Sequence, residues 1–526
     1  AAGVPWNFSP VQDIARNPLW PRLWETFGED VHLCQQLGKA SVEGMQGTAP
    51  DHPEKVAATL KHFAGYGFPL SGKDRTPAWI PERYLREYFL PPFQTAIDAG
   101  AAAIMINSGE INGVPVHADY FLLTSILRHE MGFKGVVVTD WQDIIYLHTS
   151  HRITSNNRES VKKAIMAGVD MSMVPFDFSF TDDLIALVKD GEIPMSRINE
   201  ATGRILQLKY DLGLFKDAMP QNKGYRGFGS KNFVQLNQQL ARESLVLLKN
   251  ENSRLPLPPN ARVLLCGLAA DSLHALNGGW THTWQGTDYS IASSGKKTIL
   301  EALQKQLGDR QVEYVQGASF SKEINIQAAV QQARTCDYIL ACVGEAPYTE
   351  NVGNTNELAL PVAQLNLVKA MAATGKPVIL VLVQGRPRVI HEIADLCDGI
   401  LLAMLPGDEG AEAVIDVLFG KFNPCGKLPF TYPRYANCLV PYDHKFTDTG
   451  HKDYDFEEFQ PLFEFGHGLA YTDYEYTELR LSQKNLKMSQ QLQISLKVRN
   501  RGVYAGQEVV LLYIQDMVAS ITPPVK

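Results

Sequence analysis

The sequence predicts an α/β protein whose chain closes on a short all-β segment. Three observations carry that prediction. Short apolar runs rich in β-branched residues recur through the first 215 residues, separated by longer helix-like stretches. A second block of the same rhythm runs over about 232–435. From about residue 470 the hydrophobic period falls to two, the period of antiparallel strands with one buried face.

In the first block, strands are expected at Trp6–Val11, Ala58–His62, Ala102–Asn107, Gly135–Asp140 and Val169–Met173. Helices are expected at 79–98, 119–131, 158–167, 180–190 and 195–212, and Pro53 to Leu60 has a helix-like pattern. Alternating strands and helices imply a parallel sheet or barrel. A closed eight-stranded barrel needs three strands more than the five visible here. At roughly 30 residues per unit, about 90 residues are expected before Ala1. Residues 213–231 are rich in Gly, Lys, Asn and Pro and read as a linker. The second block places strands at Val263–Cys266, Val312–Val315, Tyr338–Val343, Val378–Val383 and Gly399–Met404, a doubly wound pattern. Residues 436–469 are rich in Tyr, Asp, Phe and Pro without a period. Tyr474–Leu481, Leu492–Val498 and Val509–Ile514 then alternate like strands of an immunoglobulin-like sandwich. The expected organisation is therefore 1–215, a linker at 216–231, 232–435, a connection at 436–469, and 470–526.

Of the 526 residues, 45% are hydrophobic and 20% charged, the balance of a globular protein with a core. The net charge of −8 argues against a nucleic-acid partner, which favours a basic face. No run of 18 apolar residues is present, so no membrane span is expected. The seven cysteines form no Cys-x-x-Cys pair, giving no support to a zinc or redox site. No glycine fingerprint or Walker A motif follows the first strand of the second block, so no nucleotide and no other cofactor is expected.

The chemistry concentrates in the first block. Gly-Val-Val-Val-Thr-Asp-Trp, residues 135–141, reads as a buried strand ending on a carboxylate with an aromatic behind it. An unpaired buried carboxylate is costly, and in barrels of this kind strand ends carry catalytic groups. Asp140 could equally cap a helix beginning near Ile144 and Ile145. Lys61 and His62 set two donors side by side ahead of Gly65 and Gly67. Arg22 stands beside Trp24 and Glu25, within ion-pairing reach of Glu25 or Glu29. Donors for hydroxyls, aromatic faces for a ring and a carboxylate for an anomeric carbon are what a sugar pocket requires.

These segments, in this order, resemble the family 3 glycoside hydrolases, in particular the multidomain bacterial β-glucosidase branch. Gly279 to Gly286 (GWTHTWQG) is similar to the tryptophan-rich loop of that family's second domain, and Gly344 to Glu350 (GEAPYTE) to its acid/base loop. Gly426-Lys427-Leu428-Pro429 and Phe465-Gly466-His467-Gly468-Leu469 match later signatures. The resemblance implies a (β/α)8-type TIM barrel, an α/β sandwich domain and a fibronectin-III-like domain, the first and last incomplete in this chain. It implies a retaining, exo-acting β-glucosidase with no cofactor. β-Xylosidase, exo-β-glucanase and a non-catalytic carbohydrate-binding relative are the alternatives. Monomer or homodimer and a periplasmic or secreted location accompany that reading.

Retention needs two carboxyls about 5 Å apart. By resemblance Asp140 is the nucleophile, Trp141 packs beneath the sugar, and Arg22, Lys61 and His62 bind glycone hydroxyls. Glu350 is favoured over Glu345 as acid/base, Trp284 is an aglycone wall, and Trp280 is structural. Because Asp140 and Glu350 lie on opposite sides of the linker, the pocket is expected to draw on two domains. Two positions depart from the family. Ser108 stands where many relatives carry tyrosine, and Tyr146 where many carry an arginine, which puts glycone and linkage preference in question. Asp13 reads as structural, and Glu110 and Asn112 as possible pocket edges.

Overall fold

The computed structural model describes residues 3–47, 55–217, 227, 229–291, 293–438, 440–445, 460–487 and 489–522. The start of the Pro53 to Leu60 stretch, most of the 216–231 linker and 446–459 of the 436–469 connection lie outside the described residues. The chain divides into two compact units. One contains Ala1–Ser230 together with Glu350–Asn356, and the other Lys231–Thr349 with Glu357–Lys526.

The first unit is organised on three parallel strands, β1 (Thr59–Phe63), β2 (Ala103–Ile106) and β5 (Val136–Val138), in that spatial order. Leu60 pairs with Ile104, and Ile104 with Val137. All three strands are buried on both faces, which is why they read as continuous apolar runs. Between β2 and β5 the chain makes a small hairpin, β3 (Glu110–Ile111) and β4 (Val114–Pro115).

The two outer segments expected as strands are irregular. Residues 6–11 meet β1 and its approach through single parallel bridges, Trp6 with Ala57 and Val11 with Lys61. Pro5 and Pro10 have no N–H to give a ladder. Met171 bridges Val138 alone. The Asp170 carboxylate accepts the Val137 N–H at 3.0 Å, replacing a rung. Thr59 and Leu60 belong to β1, so the helix-like reading of Pro53 to Leu60 fails at its described end.

The helix expected at 79–98 starts at Glu82 and is broken before Pro91, whose ring and missing N–H cannot continue the preceding turn. Its middle, Leu85–Phe89, and the later helix Phe121–Glu130 have wide π turns, seen in Leu90 N–H to Leu85 O at 3.1 Å and Met131 N–H to Ile126 O at 2.8 Å. Helices Asn157–Ala167, Ser179–Lys189 and Met195–Asp211 agree with expectation to within a residue. Helix Val31–Gln46 is an addition; Asp30 caps it by accepting the Leu33 N–H at 2.6 Å.

The second unit opens with helix Lys231–Ser244 and a six-stranded sheet. Its strands are β6 (Val246–Asn250), β7 (Val263–Cys266), β8 (Val312–Val315), β9 (Tyr338–Gly344), β10 (Val378–Val383) and β11 (Gly399–Leu402). The spatial order is β6-β11-β10-β9-β7-β8, with β6 antiparallel to β11 and every other neighbour parallel. Gly344 closes β9 at φ +154°, where a Cβ would stand 1.6 Å from Val383 O; only glycine permits that approach. Beyond residue 470, β12 (Tyr474–Leu481) pairs antiparallel with β13 (Ile494–Asn500). Val509–Ile514 is not a strand, contrary to its alternation. No described strand pairs with it, and Val510, Leu512 and Ile514 stay exposed.

Candidate active site

Parallel strands deliver the residues that end them to one edge of the sheet. In the first unit these are Lys61 and His62 in β1, Ser108 two residues beyond β2, and Asp140 two beyond β5. Asp140 is 7% exposed. Its Oδ1 accepts the Trp141 N–H at 2.6 Å and lies 3.7 Å from Arg75 Nη2. Its Oδ2 lies 2.9 Å from Ser108 Oγ and 3.9 Å from His62 Nε2. Burial would raise its pKa. The Arg75 guanidinium foremost, then Arg22, the Trp141 N–H and the Ser108 hydroxyl, hold the carboxyl below its usual value.

Glu350 belongs to the same unit, although the chain on either side of 350–356 belongs to the other. Its Oε1 lies 3.5 Å from Arg22 Nη1. Burial raises the Glu350 pKa above the ordinary glutamate value; Arg22 opposes this, and the charge of Asp140 adds to it. Asn354 of the same excursion accepts the Asp74 N–H at 2.8 Å. The two carboxyls are thus driven in opposite directions, Asp140 below its ordinary pKa and Glu350 above its own.

Arg22 is fully buried. It grips Glu25 with two charge-assisted bonds of 2.8 Å, and its third nitrogen turns to Glu350. The simple Arg22–Glu25 ion pair therefore exists, and it orients the guanidinium. Lys61 is pushed below the ordinary lysine pKa by burial and by Arg22, with Glu25, Asp140 and Glu350 opposing. His62 donates its backbone N–H to Asp13 Oδ2 at 2.9 Å, and its Nδ1 lies 2.9 Å from the same oxygen. Burial, then Arg22 and Lys61, hold the imidazole neutral, and burial pushes Asp13 up to about 7. Asp13 orients His62, the structural role expected of it.

Arg75, Asp143 and His117 belong to no motif read from the sequence. Arg75 faces Asp74, Asp140 and Asp143 at 3.9, 3.7 and 3.1 Å. Ser108 Oγ lies 2.7 Å from Asp143 Oδ2, and His117 Nε2 accepts the Asp140 N–H at 3.4 Å. Arg75, Gln142 and Glu350 all have left-handed backbones, φ +58°, +61° and +52°. Such strain in non-glycine residues clusters at functional sites. The charged triplet Lys73-Asp74-Arg75 after the glycines of 65–72 is the one cue that could have pointed to Arg75. Tyr146 donates its hydroxyl to Gln142 at 3.3 Å. Asn112 holds Ile80 through both backbone groups, and Glu110 lies 3.1 Å from His151 Nδ1.

Trp141 is 44% exposed, with the Phe176 ring edge-on at 5.7 Å. In the second unit Trp284 is half-exposed, and its carbonyl accepts the Trp280 N–H at 2.9 Å. Glu345 is tied down there. Its Oε2 accepts from Tyr348 Oη at 2.8 Å and from the Gly385 and Arg386 N–H groups at 3.0 and 3.3 Å. Its Oε1 pairs with Arg386 and Arg388 at 3.3 and 3.4 Å.

Residues 1–208 match the glycosyl hydrolase family 3 N-terminal domain, and residues 245–471 match the family's C-terminal domain. The chain belongs to glycosyl hydrolase family 3. The enzyme is 40% identical to the lysosomal beta glucosidase of Dictyostelium discoideum, across all of this chain and 67% of that protein. It is 33% identical to the periplasmic beta-glucosidase of Salmonella typhimurium, across all of this chain and 72% of that one. Among solved structures, the beta-glucosidase from Listeria innocua in complex with isofagomine superposes with a TM-score of 0.92 at 30% identity, covering 100% of this chain and 74% of that one. The fold is accordingly the family 3 arrangement of an N-terminal domain followed by a C-terminal α/β domain, and the enzyme is a glycoside hydrolase of the β-glucosidase kind. Among the described residues no helix is long and apolar enough to cross a membrane.

Proposed function

We propose that this enzyme removes terminal β-D-glucosyl residues with retention of configuration, Asp140 acting as nucleophile and Glu350 as acid/base. The observation that carries the assignment is the opposed tuning of the two carboxyls. Arg75 and Arg22 hold the Asp140 carboxyl below its usual pKa, as a nucleophile needs, and burial lifts that of Glu350, as a general acid needs. In the first step Glu350 protonates the leaving oxygen while Asp140 bonds to the anomeric carbon. In the second Glu350 takes a proton from water, which displaces Asp140. Lys61, His62 and Arg22 bind glycone hydroxyls, Trp141 carries the ring face, and Trp284 borders the aglycone. Five contacts within 3.4 Å favour a structural role for Glu345 and support Glu350 as the acid/base.

The same reading takes residues 1–215 as part of a TIM barrel and 232–435 as an α/β sandwich. A linker at 216–231 and a connection at 436–469 separate these from a fibronectin-III-like region at 470–526. Parallel β1, β2 and β5 support the first of these, and the antiparallel pair β12–β13 the last. The periplasmic relative supports an extracytoplasmic location. A β-xylosidase of Formosa agariphila, 35% identical over 99% of this chain, keeps xylosides as a second substrate class. The test is incubation with a 2-deoxy-2-fluoro β-glucoside, followed by peptide mapping, beside a screen of aryl β-glucosides and β-xylosides. Label on Asp140 and preference for glucosides are expected. Label on another carboxylate overturns the assignment.

A further inference from the structure

Ser108 Oγ lies between two carboxylate oxygens, 2.9 Å from Asp140 Oδ2 and 2.7 Å from Asp143 Oδ2. A hydroxyl has one proton to donate. If both carboxyls were ionised, one of these short contacts would face oxygen lone pairs on both sides. The remaining neighbours decide which carboxyl supplies the second proton. Asp143 Oδ1 accepts from Arg75 Nη1 at 3.1 Å. Asp143 Oδ2 faces Ser108 and, at 3.5 Å, His117 Nε2, the nitrogen that accepts the Asp140 N–H. That nitrogen's lone pair is taken by the Asp140 N–H, so it has no proton to offer Oδ2. A proton on Asp143 Oδ2 supplies the second donor that the two short Ser108 contacts require.

We propose that Asp143 is a neutral positioning residue, donating an Oδ2–H to Ser108 Oγ so that the Ser108 hydroxyl donates to the nucleophile Asp140. This rests on the reading of Asp140 as nucleophile. The chain of donors runs from Arg75 Nη1–H to Asp143 Oδ1, and from Asp143 Oδ2–H through Ser108 Oγ–H to Asp140 Oδ2. A neutral Asp143 also lightens the charge around Arg75. The guanidinium faces Asp74, Asp140 and Asp143, and with Asp143 neutral its positive charge is shared by Asp74 and the ionised nucleophile alone. Burial of Asp143 and the nearby charge of Asp140 act in the same direction, raising the Asp143 pKa well above the ordinary value against Arg75 and the Ser108 hydroxyl. His117 is held neutral, its pKa lowered by burial to about 3, so it adds no competing charge.

An asparagine reproduces the pattern of a protonated aspartate, a carbonyl towards Arg75 and an N–H towards Ser108. It cannot reproduce an ionised one. The experiment compares Asp143→Ala with Asp143→Asn on an activated aryl β-glucoside, with kcat and the pH profile of kcat/KM as readouts. Asp143→Ala should lower kcat about ten- to a hundredfold, the scale of one charge-assisted hydrogen bond at the reacting centre. Asp143→Asn should recover most of that loss, with the acid limb of the profile where the parent has it. If Asp143 is ionised instead, Asp143→Asn removes a negative charge beside Asp140. The acid limb then moves to lower pH and activity stays as low as in the alanine variant; either result overturns the proposal. Should Asp143→Ala fail to fold, the position of the acid limb in Asp143→Asn alone decides the matter. Fluoroglucoside labelling of the parent enzyme tests the nucleophile separately, so failure of one reading is distinguishable from failure of the other.

Discussion

Arg22 Nη1 stands 3.5 Å from Glu350 Oε1, joining two residues 328 positions apart in the chain. The same guanidinium lowers the pKa of both Glu350 and Asp140. With Asp140 and Glu350 in their proposed roles, activity needs the first ionised and the second protonated, so kcat/KM should be bell-shaped, its acid limb set by Asp140 and its basic limb by Glu350. Removing Arg22 raises both pKa values. Arg22→Gln should therefore displace both limbs to higher pH, by about one unit each. A bell that narrows, with the limbs moving towards one another, would show that Arg22 does not act on both groups.

Glu350 and Glu345 are separable by leaving group. A general acid matters most when the departing oxygen is a poor leaving group. Glu350→Ala should lose far more activity on alkyl than on activated aryl glucosides, and azide should restore turnover on the aryl ones. Glu345→Ala frees Tyr348, Arg386 and Arg388 at the base of the loop. Its loss should be similar for every leaving group and unresponsive to azide. Rates across a series of aryl and alkyl β-glucosides, with and without azide, make the comparison.

Both the fold and the site are readable in the sequence where burial is continuous. Val263–Cys266 and Val378–Val383 keep their sequence-derived bounds because each is an unbroken apolar run in a parallel sheet, and Val312–Val315, at the sheet's edge, keeps its bounds although Glu313 interrupts it. Asp140, Lys61 and His62 stand out because charge intrudes on such runs. β6 escapes notice because its apolar stretch ends in Lys249 and Asn250, directly after a helix. Helix Val31–Gln46 escapes because only Cys34, Gly38, Val42 and Gln46 are buried, a thin stripe among polar residues. Arg75 and Ser108 lie in loops and Asp143 opens the helix Asp143–Thr149 after a left-handed Gln142, placements that no local periodicity encodes.

Trp141 is nearly half-exposed and meets Phe176 edge-on at 5.7 Å, which leaves its ring face open. A face offered to a sugar contributes binding in ground and transition states alike, which alters KM rather than kcat. Trp141→Ala should raise KM about three- to tenfold, the scale of one aromatic stacking contact. Steady-state kinetics on a single aryl glucoside measures it. A loss confined to kcat would instead mean that the indole's role is to position the 141 backbone, whose N–H meets Asp140 Oδ1 at 2.6 Å, rather than to bind the sugar.

Asp170 anchors the strand that presents Asp140. Its carboxylate accepts from Arg128 Nη2 at 2.6 Å, from Arg197 Nη2 and Arg204 Nη1 at 2.9 Å each, and from the Val137 N–H at 3.0 Å. The aspartate is 7% exposed, so removing it strands three guanidinium groups in poorly hydrated surroundings and frees a rung of β5. Asp170→Ala should cost about 3–5 kcal/mol of stability, the range for breaking a buried pair from one side. The exposed pair Lys39–Glu43, 3.8 Å apart with both side chains at least half exposed, is the control, and Glu43→Ala should cost less than about 1 kcal/mol. Urea midpoints at constant m-value compare the two. Equal small losses would mean that the Arg128, Arg197 and Arg204 side chains find water or Glu200 as readily as Asp170, and that the register of β5 rests on its apolar packing alone.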